Sequence, residues 1–272
     1  MSQPVIDLEA YFERIGYANE RAPSLEVLQQ IHALHPLAIA FENLSPFLGI
    51  AVNLDITSLQ DKLVKRKRGG YCYEHNLLFS HVLKALGFDV TGLAARVRWN
   101  VTGQTVLPRT HMLLLVNIED VNYIADVGFG GLTLTAPLRL DSGLEQATPH
   151  ESFRIVYSEG AYTLQANVAR TWKALYSFDL QEQHQPDYEL TNWYVSNYPQ
   201  SRFVRELIVA RPAQSSRHAL LNNQYTVHQL AGKAQKRTIV NSHDLVETLG
   251  NEFDIQIDDI PDVRLKLSSL FT

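Results

Sequence analysis

Cys72 is the only cysteine in this 272-residue chain, and it stands in Arg68-Gly69-Gly70-Tyr71-Cys72-Tyr73-Glu74-His75-Asn76. Two glycines close one helical pattern, and the thiol opens the next. A lone thiol is most often a small buried hydrophobe. At a helix start, however, unpaired N–H groups and the positive end of the macrodipole stabilise a thiolate. A nucleophile of this kind needs a base within hydrogen-bond reach, and the base needs an orienting group. Of the ten histidines, His111 opens the apolar run His111 to Val116, and Asp126 closes Tyr123 to Val127. A hairpin centred between Ile118 and Glu119 sets His111 opposite Asp126 on one face. Asp126 can then hold one imidazole nitrogen and leave the other for the thiol. A turn centred one or two residues later breaks that pairing.

Plainer readings exist for each residue. His111 can be a satisfied strand-end histidine and Asp126 a turn former before Gly128. His75, three residues beyond Cys72 on the same helix face, is a rival base without an evident carboxylate partner. Lys65 to Arg68 reads as a solvated helix end suited to the macrodipole, or as a contact for an anionic ligand. Gly128-Phe129-Gly130-Gly131 is a turn, or a place where backbone approaches a ligand closely. No P-loop lysine follows it, which argues against an ATP site.

The elements that must position these groups change character along the chain. Asp7 to Ile15, a stretch capped at Pro23-Ser24, Ser58 to Lys67 behind a Thr57/Gln60 capping box, and a helix from Cys72 to Gly87 read as helices. Val90 to Trp99, His111 to Ile118, Tyr123 to Val127, Phe153 to Tyr157 and Tyr162 to Ala166 read as strands, with Glu159-Gly160 as a hairpin tip. Helices return at Tyr188 to Asn197 and Asp244 to Phe253. Strands are expected at Phe203 to Ala210 and around Asn222-Asn223. Pro261 suits the first turn of a last helix ending near Leu270. The order gives an α+β chain in three parts: a helical bundle at 1–86 carrying the thiol, a β-rich part at 87–187 carrying histidine and aspartate, and an α/β part at 188–272.

A formal net charge of −5 argues against general nucleic-acid affinity. The stretch Met1 to Glu9 lacks a basic and apolar leader, and the run Met112 to Val116 is too short to span a bilayer. With a lone cysteine, these features point to the cytoplasm, away from membranes. The absence of CxxC and HExxH leaves a metal site unsupported.

The string from Arg68 to Asn76 resembles the RGGxCxExN signature of the arylamine N-acetyltransferases, in their bacterial type. Ala40-Phe41-Glu42-Asn43-Leu44, Ala95-Arg96-Val97, Arg109-Thr110-His111 and Asp126 to Gly131 extend the likeness in order and spacing over the first half. Ser201-Arg202-Phe203 is the clearest match in the last third. His75 occupies a variable family position, and Tyr73 replaces a frequent phenylalanine. The resemblance implies a Cys72–His111–Asp126 triad related to that of transglutaminases and papain-like proteases, within a helical bundle, a β-barrel-like middle and an α/β lid. It also implies ping-pong transfer of acetyl from acetyl-CoA, a co-substrate and not a bound cofactor, to an arylamine, arylhydrazine or N-hydroxyarylamine. In that picture Val97, Phe129 and Phe203 line the acyl and aryl pocket, Thr110, Gly128, Gly130 and Gly131 border the cleft, and Phe41 is a further substrate- or CoA-binding residue. Arg68 and Glu42 form a buried structural pair. The same triad could instead serve an amidohydrolase, a peptidase or an amide synthase, and a binding module would leave Cys72 inert.

Overall fold

The computed structural model describes residues 5–101, 103, 105–141, 143–258 and 260–271. Met1 to Pro4, part of the leader reading, lie outside the described residues. Helices come first: α1 (Leu8–Ile15), α2 (Leu25–Ala38), α3 (Leu44–Phe47), α4 (Ile56–Leu59) and α5 (Cys72–Ala85), with the two-residue strand β1 (Phe41–Glu42) between α2 and α3. Asp7 and Ser24 cap α1 and α2 by accepting from the Ala10 and Val27 N–H groups. The stretch before Cys72 differs from the capping-box reading. Asp55 is the cap, accepting from Ser58 N–H, and α4 runs on as a π-helix over Gln60–Lys65. The helical run ends before the double glycine, with Lys67 in the left-handed region at φ 49°.

Gly69 and Gly70 serve close approach instead of chain reversal. A Cβ on Gly69 would lie 2.1 Å from the Ala40 carbonyl oxygen, and one on Gly70 would lie 2.8 Å from the Glu74 side chain. Freed of Cβ atoms, this segment lies against β1. Gly70 N–H donates to Ala40 O (3.3 Å), and Glu42 N–H donates to Gly70 O (2.7 Å).

The middle of the chain supplies β2 (Asp89–Val97), β3 (His111–Ile118), β4 (Val121–Ala125), β5 (Leu138–Arg139), β6 (Phe153–Ser158), β7 (Ala161–Val168) and β8 (Thr171–Phe178). They form a seven-stranded sheet in the order β5-β4-β3-β2-β8-β7-β6. Its two edges are bridged by Gln146. The Gln146 backbone pairs with Phe153 of β6, while its carboxamide accepts from Arg139 N–H (2.8 Å) and donates to Arg139 O (2.9 Å) on β5. The sheet is therefore a nearly closed barrel.

Strand β8 has no counterpart in the sequence reading, because a bulge breaks its alternation. Leu164 pairs with Tyr176 and Gln165 with Ala174, which leaves Leu175 as the extra residue. Leu175 and Tyr176 are consequently both buried, and bulges of this kind re-aim the side chain that follows.

The last part holds α6 (Gln185–Asn197), α7 (Arg202–Arg205), β9 (Ile208–Ala213), β10 (Ser216–Leu221), β11 (Gln224–Gln229), β12 (Gln235–Thr238), α8 (Ser242–Phe253) and α9 (Val263–Ser268). Phe203, expected on a strand, lies in α7, whose cap is the Ser201 hydroxyl. Pro261 precedes α9 and its cap Asp262 instead of opening the helix. The second sheet runs β1-β9-β10-β11-β12, so the N-terminal helical part lends it an edge strand. Side-chain alternation on β3 joins two cores: Met112, Leu114 and Val116 pack with the helices, and Leu113 packs inside the barrel. None of the helices described is long and apolar enough to cross a membrane.

Candidate active site

Cys72 is the first residue of α5 and is 3% exposed. Glu74 secures this helix start, accepting from Tyr71 N–H at 3.1 Å. The Cys72 thiol donates to the Thr110 carbonyl at 3.7 Å, and Thr110 immediately precedes His111 at the head of β3. Across the hairpin the register differs from the expected one. The turn is Glu119-Asp120, both residues with positive φ, and the ladder runs from Ile118↔Val121 to Leu114↔Ala125. Moving the turn centre by one residue shifts the pairing by two, which keeps every side chain on its face. Asp126 therefore follows the last paired residue as a diagonal neighbour of His111, and its Oδ2 lies 2.7 Å from His111 Nε2. The other ring nitrogen, Nδ1, is not engaged by Asp126, and Cys72 is among the groups that raise the pKa of the ring.

Asp126 is fully buried and held from several directions. Its Oδ1 accepts from Asn76 Nδ2 (2.9 Å) and Gly128 N–H (3.0 Å), its carbonyl accepts from the Thr133 hydroxyl (3.3 Å), and its N–H donates to His32 Nε2 (3.1 Å). Burial opposes its charge, but His111, Asn76 and Gly128 outweigh burial and lower its pKa. Burial likewise opposes an imidazolium at His111; Asp126 and Cys72 overcome it and bring the pKa up to about 10. A buried imidazolium can only donate, and its neutral form can accept, so a histidine held this way can move a proton in either direction as it cycles between the two.

His75 points away from this chemistry. It is fully buried, its Nε2 donates to Ala40 O (3.1 Å), and its Nδ1 accepts from His35 Nε2 (2.9 Å). Both nitrogens are used, and burial lowers its pKa to about 4.

The remaining residues singled out in the sequence divide into groups. The Phe129 ring meets His111 edge-on with centroids 5.1 Å apart. Phe203 packs on Phe41 (6.1 Å) and Tyr71 (5.5 Å). Gly128 lies on α5, where a Cβ would fall 2.9 Å from Cys72 Cα, and Gly130 has φ 92° over the Phe41 ring. Gly131 is exposed, and a Cβ there would meet nothing within 4 Å. Val97 is half-buried at the end of β2, opposite Tyr176. Arg68 Nε and Nη2 donate to Glu42 Oε1 at 3.2 and 2.8 Å, and Lys62 binds Glu74 at 2.6 Å. Arg68 is thus a buried half of an ion pair, not a solvated helix end.

Sequence reasoning assigned no role to Asn76, His32, Thr133 or Tyr176. Asn76 was within reach, since it follows Cys72 by one helical turn on the same face. His32 and Thr133 carry no local signal. Tyr176 sets its ring against His111 with centroids 4.8 Å apart and planes tilted by 42°, and burial followed by the Asp126 charge raises its hydroxyl well above the ordinary pKa. The bulge at Leu175 hid it.

A family model described as N-acetyltransferase matches residues 24–263. The chain is 42% identical over 259 residues to the arylamine N-acetyltransferase of Mycobacterium tuberculosis (strain ATCC 25618 / H37Rv), covering 94% of this chain and 91% of that one. It is 37% identical over 254 residues to the arylamine N-acetyltransferase / N-hydroxyarylamine O-acetyltransferase of Salmonella typhimurium, covering 93% and 90%. The solved structure of Mycobacterium marinum arylamine N-acetyltransferase in complex with CoA superimposes with a TM-score of 0.92 at 39% identity, over 97% of this chain and 98% of that one. Matched in sequence and in fold over nearly its whole length, the chain belongs to the arylamine N-acetyltransferase family.

Proposed function

We propose that this acetyltransferase carries the acetyl group of acetyl-CoA on Cys72, as a thioester, to an arylamine, arylhydrazine or N-hydroxyarylamine. The observation that carries this reading is the buried His111–Asp126 contact at 2.7 Å, with the Cys72 thiol on the carbonyl of Thr110, the residue before His111. In this reading His111, held by Asp126, takes the Cys72 proton and so generates the thiolate. The thiolate attacks the acetyl carbonyl carbon. The tetrahedral adduct then collapses, breaks the carbon–sulfur bond to CoA, and returns the His111 proton to the leaving sulfur. Neutral His111 next takes a proton from the incoming amine as its nitrogen attacks the thioester, and Cys72 leaves as thiolate. An arylamine suits this half-reaction because its weak basicity keeps it neutral near pH 7.

Phe129 beside His111, with Phe41 and Phe203 packed on each other, supports an aromatic lining for the acyl and aryl pocket, and we place Val97 at its rim. Thr110 and Gly128 to Gly131 border it. In this reading residues 1–86 carry the nucleophile, 87–187 carry its base and orienter in a cysteine-protease-like core, and 188–272 form the lid. A lone cysteine suits a reducing compartment, and we assign the enzyme to the cytoplasm on that ground.

The decisive experiment is incubation with acetyl-CoA alone. Intact-mass and peptide analysis should find one acetyl group on Cys72 with one equivalent of CoA released, and none in Cys72→Ala. Acetylation only on lysine overturns the covalent route. Cleavage of peptide reporters with no response to acetyl-CoA favours a hydrolase.

A further inference from the structure

Strand β4 ends at Ala125, so no ladder partner receives the N–H of Asp126. That donor is satisfied from α2 instead, by His32 Nε2 at 3.1 Å, and both residues are 0% exposed. The bond dictates a tautomer. Nε2 must present a lone pair, so the proton sits on Nδ1, which is buried and has no hydrogen-bond partner among the described residues. An apolar side chain would leave no such donor stranded, and Leu28 and Ile31 on the same helix are apolar core residues. The unpaired Nδ1–H is therefore a cost borne for the acceptor on the other side of the ring.

We propose that His32 is a positioning residue for acetyl transfer: its neutral Nε2 fixes the backbone where β4 ends and so sets the reach of the Asp126 carboxylate to His111. This rests on the Cys72–His111–Asp126 reading above. His32 is fully buried, and its contact with the site is the one through Asp126 N–H. The titratable groups around the pair are His111 on β3, Tyr176 on β8 and Cys72 on α5 about Asp126 and its ring partner, with His35 on α2 beside His32. The Phe79 ring stands edge-on to His32 at 5.8 Å. Without the acceptor, the Asp126 N–H would be buried unpaired and the turn into Gly128 would rearrange to satisfy it. That displaces the carboxylate by a fraction of the distance on which proton transfer depends.

The test compares His32→Phe, which keeps a flat ring but no acceptor, with His32→Gln, whose Oε1 can accept. For each, kcat, the KM for acetyl-CoA, and the pH profile of Cys72 alkylation by iodoacetamide are measured. His32→Phe should lose roughly 10- to 100-fold in kcat with KM unchanged, and its alkylation profile should move to higher pH. His32→Gln should stay near wild type in all three. A His32→Phe protein with a lowered Tm but wild-type kcat and alkylation profile reduces His32 to scaffold and overturns the proposal. So does a His32→Gln protein that folds yet is as slow as His32→Phe. If His32→Phe does not fold, the glutamine variant decides alone. Wild-type Cys72 that takes no acetyl group overturns the triad reading itself, and the positioning role with it.

Discussion

Asn76 clasps Asp126 from one turn beyond the cysteine. Its Nδ2 donates to Asp126 Oδ1 at 2.9 Å and to Met112 O at 2.8 Å, while its Oδ1 accepts from Val127 N–H at 3.1 Å. One carboxamide thus ties α5, the helix of Cys72, to β3 and to the turn that carries the carboxylate. Oδ2 of Asp126 is left for His111. Asp126→Asn keeps this shape but removes the charge that holds His111 protonated. It should remain folded by circular dichroism while acetyl transfer falls by about a thousandfold or more.

His111→Ala and His75→Ala should separate chemistry from scaffold. The first should abolish acetyl uptake even in the folded fraction, and it should also lower Tm because it strands the buried Asp126 carboxylate. The second leaves Ala40 O and His35 Nε2 without their partner, so it should lower Tm while the folded fraction still acetylates. A stable, inactive His75→Ala protein would contradict the site described here.

Gly128→Ala tests packing on the nucleophile. The added Cβ would stand 2.9 Å from Cys72 Cα and 3.0 Å from both Asn76 Nδ2 and His75 Cβ. Two of these are held by the helix itself, so the turn must move. A loss of about 1–3 kcal/mol in urea unfolding is expected, with slower alkylation of Cys72 at fixed pH.

Arg68 and Glu42 are 3% and 0% exposed. Arg68→Met strands a buried carboxylate whose remaining cation, Lys62, lies 3.9 Å away. It should cost about 3–5 kcal/mol, whereas the double variant Arg68→Met/Glu42→Gln should recover part of that loss. Equal losses in single and double variants would show that the pair is not coupled.

Stability should fall on mild acidification through three buried neutral histidines. Burial pushes His32 and His75 down to about 4 and His35 well below the ordinary value of 6.5. Below 6.5 the unfolded chain takes protons that the folded one refuses. Each such histidine therefore removes about 1.4 kcal/mol per pH unit until the folded state also protonates. His111 has the opposite sign: its contribution is full below 6.5 and fades as pH climbs towards about 10. His35→Gln should be less stable at pH 7.5, yet its urea midpoint should depend less steeply on pH between 6.5 and 4.5.

What the sequence disclosed follows the range of the forces involved. Caps such as Asp7 and Ser24, the amphipathic helices and the head of β3 rest on neighbours a few residues apart, and they read out directly. The hairpin brought His111 and Asp126 to one face even though its turn lies one residue later than expected, because a two-residue register shift preserves facing. The Asp55 cap was missed in favour of a competing Thr57/Gln60 pattern. Strand β8 was missed because the extra Leu175 spoils the alternation. His32 and Tyr176 reach Asp126 and His111 from α2 and β8, and no local spacing announces a contact made across the fold.

The pairing of β1 with β9 bears on when the enzyme can become active as it is made. Phe41 and Glu42 precede α5, but their strand partners are Ala210 and Val209. Closing that edge requires the chain through Ala210, so the backbone that braces Gly70, just ahead of Cys72, is fully paired only after β9 has been made.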